Sequence, residues 1–254
     1  VPEIVYIADD FGLSEESNEA IVHAHRKGAL TGTVLMMGQP GTEHAVELAR
    51  ANPSLQIGWH LHLVDSRPCT IETWPWGASH TRAGIALGSS PGARAAARRE
   101  IEAQWSAFRD TGLECRFANA HHHLHIHPFV RRSMLAVMGS EFSGWLRWGR
   151  IRCFGRAAAT IGYRLLDAAL MAPHRGRLPC RESATLWGID RTFRMRAEEI
   201  RRVLPTLGAG LHEFMFHPRS LDHRDTTCLL ELADLHPQSA GPLAAAAGPA
   251  DRGD

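Results

Sequence analysis

Apolar residues in this 254-residue chain fall into short runs that alternate with longer amphipathic stretches. The first run, "EIVYIA" at 3–8, reads as a buried strand and ends at Asp9-Asp10. In the next stretch Ala20, Ile21, Ala24 and His25 share one helical face. Ser14 is placed to cap that helix and Gly28 to close it. Further strands are predicted over 31–38, 55–64, 113–121 and 211–218, and helices over 42–51, 89–112, about 128–138 and 195–207. The helix over 89–112 is the most clearly marked, with Ser90 as cap, Pro91 at its first position and Gly112 past its end.

Three stretches do not follow the alternation. Residues 66–88 read as loop. Residues 139–180 mix Trp145, Trp148, Phe154 and Tyr163 with seven arginines (147, 150, 152, 156, 164, 175 and 177) and read as a helical cap or insertion. Residues 238–254, mostly Ala, Gly, Pro and Asp, read as a disordered tail.

Strands alternating with helices predict an α/β fold with a parallel sheet covered by helices. Six or seven such units in a single domain over 1–237 predict a distorted or incomplete (β/α) barrel, TIM-like in plan. Functional residues of such barrels stand at the C-terminal ends of the strands. Asp9-Asp10, His60, His62, His121 and His217 all occupy such positions.

Composition narrows the function. Apolar residues at 44% and charged residues at 22% fit an ordinary globular core, and a net charge of +1 supplies no field to gather nucleic acid. The five cysteines (69, 115, 153, 180 and 228) form no C-x-x-C pair. That argues against a disulfide framework or a cysteine zinc site, and for a reducing, cytoplasmic setting. No apolar run is long enough to predict a membrane span, and the first residues read as a strand rather than a signal peptide.

Four motifs carry the candidate chemistry. The adjacent carboxylates of "ADDFG" repel each other and are costly to bury unless a cation is near. Neighbours on a strand point opposite ways, so one of the two should face the site; a cap plus a turn explains the pair equally well. In "GWHLHL", His60 and His62 alternate with Leu61 and Leu63 and share a face, as ligands or as a hydrogen-bonded core pair. "NAHHHLHIHP", residues 119–128, holds five of the sixteen histidines, and its interleaved Leu124 and Ile126 exclude a tag. An extended chain would put His121, His123, His125 and His127 on one face and His122 on the other. In "EFMFHP", His217 follows an apolar strand. One carboxylate with two imidazoles suits a divalent ion that keeps positions open for water and substrate.

In their order and spacing, "ADDFG", "GTVLMM", "GWHLHLV", "NAHHHLHIHP" and "HEFMFHP" resemble the YdjC-like carbohydrate deacetylases, most closely the hopanoid-biosynthesis-associated branch. The resemblance runs from residue 3 to about 222 and is weakest over 66–88 and 139–180. It implies a distorted (β/α) barrel that removes the acetyl group from an N-acetylated amino sugar with the help of one divalent metal. Zinc is the first expectation; cobalt, nickel, manganese, iron or magnesium are alternatives. It assigns Asp10, His60 and His121 as metal ligands, Asp9 as general base and His217 as a site histidine, the first choice for the general acid. His62, His123, His125, Asn119 and Trp59 are expected around the substrate or behind the ligands. Asn119 stands where much of the family has Asp, Trp59 where a smaller apolar residue is usual, and Arg219 where Gly is common.

The branch implies a lipid-linked, hopanoid-type N-acetylglucosaminyl substrate. The Trp and Arg content of 139–180 suits peripheral contact with a membrane, and suits somewhat better a solvated helical cap whose aromatics pack on the barrel; no nucleic acid partner is expected, and a homodimer is left open. Competing readings are a metal-dependent phosphoesterase and a non-catalytic sugar-lipid or metal-binding module. The phosphoesterase type usually carries His-x-His after its first strand, where this chain has Asp9-Asp10.

Overall fold

A computed structural model describes residues 1–235 apart from Glu141, Arg156, Ala157 and Ala184; the tail expected over 238–254 lies outside the described residues. The first half alternates strictly: β1 (Pro2–Phe11), α1 (Glu15–Arg26), β2 (Gly32–Leu35), α2 (Thr42–Ala51) and β3 (Gln56–Leu61). Two helices follow, α3 (His80–Ser89) and α4 (Pro91–Asp110), then β4 (Phe117–Ala120) and α5 (Pro128–Met138). The second half holds β5 (Trp145–Leu146), β6 (Arg150–Arg152), α6 (Ala158–Leu166), β7 (Arg181–Glu182), β8 (Thr185–Trp187), α7 (Ala197–Val203), β9 (Gly210–Phe216) and α8 (Arg224–Glu231). Ser14 and Ser90 cap α1 and α4 as their positions in the sequence suggest, and His127 caps α5.

All strand pairs are parallel, in the order β6-β8-β9-β1-β2-β3-β4-β5-β7. The ends of this list are not free edges. β5 and β6 are one chain segment bent at Gly149, and β7 and β8 lie on another. β5 pairs with β7 (Trp145 with Arg181), and β6 with β8 (Arg150 with Thr185). These are two halves of one strand pair whose register slips by one residue. Seven strand directions thus curl into a distorted (β/α) barrel. The bend needs glycine, because a Cβ at Gly149 would lie 2.6 Å from the Thr185 nitrogen. Ser183 Oγ ties the seam by accepting from the backbone N–H groups of Trp148 and Gly149, at 3.1 and 2.9 Å.

The period of two sorts each strand into an outward and an inward row. Outward residues such as Tyr6, Ala8, Ala118, Phe214 and Phe216 join the large core beneath the helices. Inward residues Val5, Ile7, Val34, Phe117, Trp145 and Leu211 form a separate plug inside the barrel. There Phe117 stacks on Trp145 with ring centroids 4.8 Å apart. Gly32 and Gly58 make room for the Phe117 ring, since a Cβ at either would lie within 2.8 Å of it. Continuing upward, the inward row turns polar: Asp9 after Ile7, Asn119 after Phe117, Arg147 after Trp145, and Glu213 after Leu211. The plug closes the bottom of the barrel and the polar layer forms the floor of a cavity above it.

Two stretches differ from their expected form. The loop expected over 66–88 contains α3, started by Ser79, whose Oγ accepts from the Arg82 N–H at 3.3 Å. Its internal Gly84 and Gly88 weaken the helical signal. The segment 139–180 is not simply a helical cap, because it supplies β5 and β6 of the barrel wall. Trp145 belongs to the interior plug, and Trp148 is buried under Arg131, whose guanidinium lies 4.7 Å from its ring.

Candidate active site

A cavity of about 460 Å³ opens at the C-terminal end of the barrel, with Asp9, Asp10, His60, His121, His123 and His217 among its lining residues. Both aspartates reach it, although alternation allows only one. The β1–β2 register shifts between Ala8 and Phe11, and Asp10 takes a φ of 69°. This bulge turns Asp10 inward beside Asp9, and φ values of that sign are costly for a residue other than glycine.

Three donor atoms converge at the cavity floor. Asp10 Oδ1 lies 3.1 Å from His60 Nε2 and 3.0 Å from His121 Nδ1. One atom from each residue falls within 4.8 Å of the others, a span that a single cation can bridge. The three come from the ends of three neighbouring strands, β1, β3 and β4. Burial raises the Asp10 pKa, but His121 and His60 outweigh it and hold the carboxyl well below its usual range. Burial lowers the His121 pKa, and the Asp10 carboxylate outweighs it, so the net direction is upward.

Behind these donors is a second layer of polar groups. An ionised Asp9 can only accept, so the Asn119 side-chain nitrogen faces it, donating to Oδ1 at 3.2 Å. The Asn119 oxygen is thereby turned to His60 and accepts a short hydrogen bond from its Nδ1–H. That orients the ring so that His60 Nε2 is aimed at the floor, an orientation suited to a metal. Arg147, fully buried, donates to both Asp9 oxygens at 2.6 and 2.7 Å and to Glu213 Oε1 at 2.6 Å. Burial pushes the Asp9 pKa up, but Arg147 outweighs it and holds the carboxyl far below its usual range. Glu213 receives less of that charge, and burial carries its pKa up to about 7.

Other site residues take places that the sequence pattern does not foretell. His122 and His123 have φ of 50° and 55°, so the histidine run is not extended and its expected alternation is lost. His121 and His123 line the cavity. His122 lines it too, at the mouth, and pairs with the exposed Asp65 at 3.2 Å. His125 turns away, accepting the Ala120 N–H at 3.0 Å, with its pKa pulled by burial to about 3. His62 lies beyond the end of β3. Its ring bonds to the Met37 carbonyl (2.8 Å) and Ser66 Oγ (2.9 Å), and burial lowers its pKa to about 4. Trp59 points outward onto Trp105 of α4, 5.0 Å between centroids. His62, His125 and Trp59 are thus absent from the cavity lining. His217 faces the cavity with Nε2 3.9 Å from Asp9 Oδ2, and burial lowers its pKa. Arg219 donates to Asp10 Oδ2 at 2.8 Å.

Comparison with known proteins matches the model of the family described as "YdjC-like protein" to residues 3–239. The chain belongs to that family. Proteins named carbohydrate deacetylase match one half of it: that of Vibrio campbellii is 35% identical over 128 residues, which is 50% of this chain and 51% of that protein. The Brevibacillus brevis protein of the same name is 36% identical over 132 residues, 50% of this chain and 52% of its own. The chain thus spans about half the length of the curated relatives it matches. A crystal structure from Enterococcus faecalis V583, of a candidate cellobiose-phosphate cleavage protein, overlays 89% of this chain and 90% of its own with a TM-score of 0.63. At 20% identity it shows a shared fold.

In this YdjC-like chain two consequences of the floor can be measured. Asn119→Ala removes both the brace on His60 and the donor to Asp9, and the affinity for any divalent ion that the floor takes should fall about 10–100-fold. Asn119→Asp restores an acceptor for His60 but sets a carboxylate against Asp9, so its metal affinity should lie between parent and Ala variant. Equal affinity in all three, read by competition with a chromophoric chelator, would remove Asn119 from this role.

Glu213 makes stability depend on pH. Its folded pKa of about 7 exceeds the ordinary 4.5, so between those values the folded state holds a proton that the unfolded chain has released. Glu213 therefore makes unfolding free energy fall as pH rises from about 4.5 to about 7, with no further change above. Glu213→Gln should flatten that part of the profile in urea titrations; an unchanged slope would refute the assignment.

Proposed function

We propose that this chain is a metal-dependent hydrolase that removes the N-acetyl group from an N-acetylated amino sugar, releasing acetate and a free amine. The observation that carries the reading is the floor itself. Asp10, His60 and His121 present three converging donors, while Asp9 and His217 face the same space from beside them. The deacetylase names of the relatives, matched over about half their length, support the same reaction class.

Asp10, His60 and His121 would hold one divalent ion, for which zinc suits two imidazoles and a carboxylate. Such an ion polarises the acetyl carbonyl and makes water more acidic. The chain's own groups then move the proton. Asp9, kept ionised and oriented by Arg147 and Asn119, takes it from the attacking water. His217, starting neutral, receives it from Asp9 and delivers it to the nitrogen as the carbon–nitrogen bond breaks. An amine leaving group requires that delivery, since an amide anion is too basic to depart. Arg219 neutralises the second Asp10 oxygen and tempers the charge of the ligand set.

Apolar side chains crowd the cavity above the floor: Leu124, Ile126, Leu166, Leu170 and Ile189. A free sugar offers little to such walls, whereas an amino sugar on an apolar aglycone fills them. A lipid-linked substrate of the hopanoid type is the finer reading.

The test is mass spectrometry after incubating metal-loaded protein with N-acetylglucosaminyl lipids and chito-oligosaccharides. A substrate loss of about 42 Da with matching acetate is expected, the hydrolytic exchange of an acetyl group for hydrogen. Release of phosphate from a phosphoester panel with no acetate would favour the phosphoesterase instead. His217→Ala should keep its metal and lose turnover by about 10²–10⁴-fold. Turnover within a few-fold of parent would assign the proton delivery elsewhere.

A further inference from the structure

Among the described residues, seven large apolar side chains stand exposed. Val1 and Leu235 are the ends of the described chain. The other five, Ile85, Ile161, Leu165, Phe193 and Leu221, belong to segments around the cavity mouth. Ile85 follows the cavity-lining Gly84, Phe193 lines the cavity itself, and Leu221 lies on the loop that leaves β9 past His217. Ile161 and Leu165, exposed by 62% and 66%, are one turn apart on α6. The same stretch sends Tyr163, Leu166 and Leu170 into the cavity. α6 is therefore apolar on two sides, one of them turned to solvent.

Around α6 some arginines are left without acids, while the exposed Asp65 and Asp222 lie elsewhere on the mouth, beside His122 and Leu221. Asp167 is taken by Arg175, and Asp190 by Arg191. Arg152, Arg164 and Arg194 are exposed and have no carboxylate partner among the described residues. Arg164 is on α6 between Ile161 and Leu165, and the Arg194 charge acts on Tyr163; Arg152 borders a hollow with Thr206, Leu207 and Gly208, which precede β9, and so lies away from the cavity mouth.

We propose that the C-terminal face of the barrel seats on an anionic lipid bilayer, with Ile161, Leu165 and Phe193 entering the acyl boundary and Arg164 and Arg194 meeting the headgroups. Apolar residues flanked by unpaired arginines are the pattern of interfacial attachment. A second copy on the same patch would set arginines against arginines, so charge favours lipid over self-association. The cavity would then open into the membrane, and a lipid-linked substrate could enter without its tail crossing water. That last step rests on the proposed deacetylase reading; the seating does not.

The test is flotation of the full chain with vesicles of phosphatidylcholine alone or mixed equally with phosphatidylglycerol. Binding to the mixed vesicles and weak binding to the neutral ones are expected. Ile161→Asp with Leu165→Asp should abolish flotation while leaving hydrolysis of a water-soluble N-acetylglucosamine conjugate unchanged and slowing that of a vesicle-borne one. Arg164→Glu should cost at least about fivefold in partitioning. Failure to float on either vesicle overturns the proposal. So does a dimer in solution, seen by analytical ultracentrifugation and dissolved by the aspartate pair. If vesicles bind but neither conjugate releases acetate, the seating stands and the deacetylase reading falls.

Discussion

Replacing Arg147 with methionine is expected to lower the stability of the fold by about 3–5 kcal/mol, because it strips the guanidinium that two buried carboxylates share. Asp9 and Glu213 are 2% and 0% exposed, and both make charged hydrogen bonds to this guanidinium. For a domain of this size the loss corresponds to a fall in Tm of roughly 6–20 °C, readable by circular dichroism. Arg147→Lys should give a partial loss, since an ammonium cannot span both Asp9 oxygens and Glu213 in the same planar fork. Adding Asp9→Asn and Glu213→Gln to the methionine variant should recover much of the stability, because the polar layer is then uncharged. A methionine variant that melts within about 2 °C of the parent would mean that protonation or water already relieves the two acids.

Asp10→Ala is expected to have the largest effect on chemistry. Its Oδ1 is the common neighbour of His60 and His121, so the substitution leaves two imidazoles with no anionic ligand. Metal content, measured by plasma mass spectrometry on the purified protein, should drop to background. Acetate release should fall by about 10³-fold or more, since a Lewis acid contributes several kcal/mol and each ~1.4 kcal/mol is tenfold in rate. The Arg219 side chain, 30% exposed, can hydrate once its partner is gone, so folding should survive. Turnover that persists after metal is lost would end the metal-dependent mechanism.

Much of the barrel was legible because strands and helices leave different apolar periods. Asp9-Asp10, His60, His121 and His217 stand at or just past strand ends, which is why position singled them out together with His62. The motif resemblance added which of them would act as ligands. The same periodicity failed at "HHHLHIH", where two histidines with positive φ break the extended chain that alternation assumes. It failed also for His62, which lies past the end of β3 and no longer obeys its period.

Arg147 shows the limit most clearly. In sequence it is one arginine among seven in a segment that reads as a cap, suited to a lipid surface. Its partner Asp9 is 138 positions away, and nothing local to either residue announces the contact. Arg219 likewise meets Asp10 across 209 positions. The chain alone determined the parallel α/β plan, the strand ends that line the cavity and the candidate donor set, because these follow from short-range periodicity and motif. Tertiary structure decided which charges neutralise which, that a bulge turns both aspartates inward, and that Asn119 braces His60 against Asp9. Those outcomes depend on closing a ring of seven strand directions, and closure sets distances between residues that no local pattern couples.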